Sequence, residues 1–112
     1  MLFRRAMLML CGIFFTFQVM ASGSVLIDGK EIKNREQLHV VLAKNLNFPR
    51  IYGKNLDSLY EALSADFSGD SIIKIKHVNL LKAKLGSEYI ESMIQTIMDV
   101  AEDNPHLILL IE

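Results

Sequence analysis

Asp57 and Glu61 stand four residues apart, so a helix through them carries both carboxylates on one face. Placed so, the two charges repel by roughly 0.2–0.5 kcal/mol. Asp57, close to the start of such a helix, recovers part of that from the helix dipole, while Glu61 lies too far along to gain much. A patch of this kind can hold a cation, oppose the basic groups of a partner, or be an ordinary solvated face; the pair alone does not choose. Carboxylates could in principle hold calcium or magnesium, but two of them share one helix turn and the sequence offers no oxygen-rich loop such as an EF-hand supplies. His39, His77 and His106 fall at no metal-ligand spacing and read as surface or partly buried side chains. Ser58 and Ser64 show neither a strained nucleophile elbow nor a neighbouring base, and there is no glycine-rich loop to cradle phosphates. The residue set favours binding over catalysis, without metal or cofactor.

The carboxylates belong to the stretch Pro49-Arg-Ile-Tyr-Gly-Lys-Asn-Leu-Asp-Ser-Leu-Tyr-Glu-Ala-Leu63, which reads as a rigid turn feeding a short helix. Pro49 fixes one φ angle and keeps Phe48 extended. Gly53 permits a bend, and Asn55 is a good N-cap for the free backbone N–H groups that follow it. Leu56, Leu59, Tyr60 and Leu63 then recur at helical spacing, predicting a helix from about Asn55 to Ala65.

Tyr52-Gly-Lys-Asn-Leu-Asp-Ser-Leu-Tyr-Glu-Ala-Leu63 resembles the Tyr-Tyr-Gly-x-Asn-Leu-Asp-Ala-Leu-x-Asp-x-Leu signature of the barstar family of ribonuclease inhibitors. The similarity extends from about Val25 to Glu112. It implies an acidic surface that plugs the basic cleft of a small ribonuclease one-to-one and excludes RNA without doing chemistry. By the same resemblance Asp57 and Glu61 are acidic contacts, and Asp99, on the last helix, is a third. Tyr60 stands where the family often has tryptophan, Ser64 where threonine is common, and Ile51 in place of the first tyrosine; Asn55 shapes the helix start. Every charge is retained, but Glu61 is one methylene longer than the usual aspartate and Asp99 one shorter than the usual glutamate, which bears on the identity of the target. A barstar-fold interaction module whose partner is not a ribonuclease is the alternative.

The 112 residues suit one domain. Arg4 and Arg5 precede an uncharged run from Ala6 to Met20, followed by Ala21-Ser-Gly-Ser24, so residues 1–21 read as a secretory signal peptide cleaved after Ala21. An uncleaved anchor and a start at Met20 are the other readings. The first places the domain, residues 22–112, in the periplasm or outside the cell and off the membrane; the last leaves it cytoplasmic. A lipoprotein attached at Cys11 fits poorly, since Leu10 precedes that cysteine. Cys11 is the single cysteine, so the domain behind the leader has no disulfide or thiolate chemistry. Without Arg4 and Arg5, 10 basic residues face 13 acidic ones, a net charge of −3. That balance argues against direct nucleic-acid binding and suits a basic protein partner. The domain is expected to be a monomer when free.

Val25-Leu-Ile27, ended by Asp28-Gly29, predicts a short strand. Asn34 with Gln37 resembles a capping box before Leu38, Val41, Leu42 and Leu46 at helical spacing. Ser71 to Lys76 alternates as a strand with its lysines on a wet face, and Asn79 to Lys84 suits a short helix. Gly86-Ser87 starts a long helix striped by Ile90, Ile94, Ile97 and Ala101, with Met93 beside them, and ended by Asn104-Pro105. The apolar run Leu107 to Ile111 suits a parallel strand covered on both faces. The order predicts an α/β fold: one domain with a small three-stranded parallel sheet packed by about four helices.

Overall fold

The computed structural model describes residues 23–65 and 70–112; the predicted leader at residues 1–21 lies outside them. Strand β1 (Gly23–Asp28) leads through helices α1 (Arg35–Leu46) and α2 (Leu56–Ser64) to β2 (Ser71–Lys76). Helices α3 (Val78–Leu85) and α4 (Ser87–Asp103) then return the chain to β3 (Leu107–Ile111). The three strands form one sheet in the order β1-β2-β3, parallel throughout, with Val25 beside Ile73 and Ile73 beside Leu109. Parallel neighbours need crossover connections, which the helix pairs supply.

Alternation along the strands turns Val25, Ile27, Ile73, Ile75 and Leu107 inward. There they meet Leu38, Leu42 and Leu46 of α1, Leu59 and Leu63 of α2, Leu81 of α3, and Ile90, Met93 and Ile97 of α4 in one core. Fully burying each such side chain is worth roughly 1.5–3 kcal/mol, so the eighteen buried apolar residues among those described hold the domain without a disulfide.

The helix boundaries follow local chemistry. Asn34 caps α1 by accepting from the Gln37 N–H at 2.7 Å, and the Gln37 side chain reaches back to the Lys33 N–H at 2.7 Å. Asn47 ends the helix in the left-handed conformation, φ 57°, which asparagine tolerates better than most residues. Gly86, φ 105°, separates α3 from α4, a backbone angle that a side chain would strain. The buried stripe of α4 is Ile90, Met93, Ile97 and Val100; the predicted Ile94 and Ala101 sit at its half-buried margin. The stripe is therefore rotated toward Met93, because α4 packs against both α2 and the sheet.

Two expectations are overturned. The Leu107 to Ile111 run is not covered on both faces: Ile108 and Leu110 are exposed, together with Leu26 on the same side of β1. Among the described residues the helices lie on the inner face, and apolar residues on the outer face make β3 look like a central strand. His39 is also no surface or partly buried residue, being 1 % exposed. No helix among the described residues is long and apolar enough to cross a membrane.

Candidate partner-binding site

The turn before α2 closes with a hydrogen bond from the Tyr52 N–H to the Pro49 carbonyl at 3.0 Å, leaving Ile51 at its tip, 90 % exposed. The bend lies one residue later than the sequence implied. Lys54 takes the left-handed conformation, φ 57°, while Gly53 does not. Glycine at 53 serves space instead: a Cβ there would land on the Ser58 hydroxyl. Asn55 then caps α2, its side-chain oxygen accepting from the Ser58 N–H at 2.8 Å.

Tyr52 anchors this turn to the body of the protein. Its hydroxyl bonds His39 Nδ1 at 2.6 Å, and His39 Nε2 bonds the Tyr89 hydroxyl at 2.5 Å, joining the turn, α1 and α4. A neutral imidazole has one donor and one acceptor, so one tyrosine hydroxyl donates a hydrogen bond to the ring and the other accepts one from it. Phe48 packs on Tyr52 with ring centroids 4.9 Å apart, and the Arg35 guanidinium lies 4.0 Å from the centre of the Tyr89 ring. Burial lowers the His39 pKa, favouring the neutral ring. Burial likewise raises both tyrosines; beside Tyr89, the Arg35 charge works in the opposite direction. Sequence alone could not show this because no spacing rule links residues 39, 52 and 89.

With Leu59, Ala62 and Leu63 turned into the core, α2 presents Asp57, Tyr60, Glu61 and Ser64 to solvent. Two depressions flank it. Ile51, Tyr52, Ser58 and Glu61 line the smaller, about 220 Å³. Tyr60 and Ser64 face Val100, Asp103 and His106 across the larger, about 540 Å³, between α2 and the end of α4. The structure thus gathers Ile51 with Glu61 and Tyr60 with Ser64. Asp57 and Asn55 are exposed beside them but line neither depression. Asp99 is exposed on α4, where it accepts from Gln95 Nε2 at 2.8 Å, and it also lines neither.

Asp103 and His106 were not anticipated at this surface. Asp103 lies one helical turn after Asp99, a spacing that was legible in the sequence. His106 reaches it by following Pro105, and its Nδ1 is 2.9 Å from Asp70 Oδ1. Among the described residues no three histidine, cysteine, aspartate or glutamate side chains converge to hold a metal ion. What the geometry offers is a rigidly mounted, acidic helix face with a hydrophobic tip, open to a macromolecule.

Similarity to known proteins agrees with that description. YrdF, a proposed ribonuclease inhibitor of Bacillus subtilis (strain 168), is 32 % identical over 79 residues, which span 70 % of this chain and 86 % of YrdF. Residues 23–109, from the first strand through most of the last, match the family described as Barstar (barnase inhibitor), a family of inhibitors rather than catalysts. With the matching sheet, helices and signature turn, the chain belongs to the barstar family.

Proposed function

We propose that the protein inhibits an endoribonuclease one-to-one by setting the outer face of α2 into the enzyme's basic cleft, so that RNA is excluded. Supporting this reading is the exposure of Asp57 and Glu61 on a helix whose start is capped by Asn55 and whose preceding turn is pinned by Tyr52. Carboxylates so placed take the part of RNA phosphates toward lysine, arginine and histidine, and opposite charge speeds the encounter. A preformed face also loses little conformational entropy on binding. Ile51, Tyr60 and Ser64 surround the charges with contact surface, and Asp99 and Asp103 extend them along α4. In this account the leader exports the domain, and the inhibited enzyme is one held in the periplasm or arriving from outside.

Glu61→Gln tests the assignment, keeping the shape and removing the charge. Loss of a buried charge pair is expected to cost about 2–5 kcal/mol of affinity. Folding stability should move by less than about 0.5 kcal/mol, because the residue is exposed. Equal ribonuclease affinity for the two proteins would remove Glu61 from the contact. A second reading, a barstar-fold module for a different basic protein, draws support from isoleucine at 51 and from the altered reach of Glu61 and Asp99.

A further inference from the structure

The far edge of β3 is an exposed apolar element outside the proposed inhibitory face. Natural sheets protect such edges with lysine, proline or a bulge; β3 is Leu-Ile-Leu-Leu-Ile, with none of these, and no strand lies beyond it among the described residues. Ile108, Leu110 and Ile111 are 43 %, 48 % and 46 % exposed. On the inner side of the same edge, Met98, Ala101, Glu102, Leu109 and Ile111 line an open groove of about 550 Å³ between α4 and β3.

The hydrogen-bond pattern fixes what the edge can accept. The Ser71 N–H bonds the His106 carbonyl at 2.8 Å and the Glu112 N–H bonds the Ile75 carbonyl at 2.8 Å. Even-numbered residues of β3 therefore spend their backbone groups on β2, and odd-numbered ones aim theirs at the free edge, except that the Leu107 N–H is already taken by the Asn104 carbonyl at 3.1 Å. An antiparallel strand must then pair odd residue with odd residue. We infer that the strand is β3 of a second copy of this chain, paired about Leu109 to make one six-stranded sheet across a two-fold axis.

That register is self-consistent. Leu109 meets its own counterpart as a hydrogen-bonded pair, Leu107 meets Ile111, and Ile108 meets Leu110 on the outer face. All side chains keep their faces, so the second copy's Leu109 borders the groove beside α4. Glu112 falls opposite His106 of the second copy, both on the outer face; within its own copy Glu112 lies 3.0 Å from Lys74, and His106 Nδ1 lies 2.9 Å from Asp70. An acid thus faces a base at both ends of the pairing, which favours this antiparallel register over a parallel one. Ile51, Asp57, Tyr60 and Glu61 lie on other elements and stay outside the pairing, while His106, which lines the larger depression beside α2, joins it at its margin.

Sedimentation equilibrium of the protein as isolated from the cell, over a wide micromolar range, tests the inference. A dimer is expected, with Ile111→Lys raising its dissociation constant about tenfold or more by burying an unpaired charge. Ile111 is half exposed, so the variant should keep its far-ultraviolet circular dichroism and thermal midpoint. Glu112→Lys should weaken the dimer, and Glu112→Lys with His106→Glu should restore it. A monomer throughout, a dimer indifferent to Ile111→Lys and Glu112→Lys, or one lost only when residues 1–22 are removed would each overturn the proposal. Ribonuclease inhibition by Ile111→Lys is read separately, so failure of the dimer and failure of the inhibitory role remain distinguishable.

Discussion

Acid should loosen the turn that carries the inhibitory face, and His39 is the reason. Its pKa in the folded protein is held below the ordinary value of 6.5 by burial. The unfolded chain therefore binds a proton first, and stability must fall as pH drops through about 6.5. Above that value the contribution is complete. If the folded pKa lies well below the range tested, a histidine titrating only in the unfolded state removes up to about 1.4 kcal/mol between pH 7.5 and 5.5. The effect should be read as a difference: urea unfolding of wild type and His39→Gln across that range. Contributions of His77 and His106 then cancel, and glutamine can still bond Tyr52 and Tyr89. The stability gap between the proteins should change with pH by about 1 kcal/mol, wild type losing more on acidification. A gap independent of pH would refute the buried neutral histidine and with it the anchoring of Tyr52.

Two further substitutions probe the mounting of α2. Asn55→Ala removes the bond to the Ser58 N–H and should cost about 1 kcal/mol in denaturant unfolding; an unchanged midpoint would mean the cap is idle. Gly53→Ala drives a methyl into the Ser58 hydroxyl and should destabilise by about 1–3 kcal/mol, much of it recovered when combined with Ser58→Ala. Simple additivity of the two in a double-mutant cycle would show that glycine is needed there for another reason.

The fold was legible where local rules and periodicity agree. Asn34 and Asn55 announced helix starts that the hydrogen bonds bear out, and the alternation of Ile73 and Ile75 with Lys74 and Lys76 gave the sidedness of β2. The same alternation failed for β3 because its exposed positions, Ile108 and Leu110, are as apolar as its inward ones. Along α2 the spacing of the leucines correctly separated core from solvent and so exposed Asp57 and Glu61. Gly53 was read as permitting a bend, yet the left-handed residue is Lys54, and glycine at 53 serves the space beside Ser58 instead. The His39, Tyr52 and Tyr89 group and the approach of Asp103 to Tyr60 are tertiary events between elements, beyond the reach of sequence spacing.

The measurement closest to the central claim is a titration of the purified protein into a small microbial ribonuclease of the barnase type, following RNA cleavage at low salt. The account predicts that activity falls to zero at one equivalent and that added salt weakens the inhibition by screening the carboxylates of α2. Full ribonuclease activity at micromolar excess would contradict it and transfer the acidic face to a different basic partner.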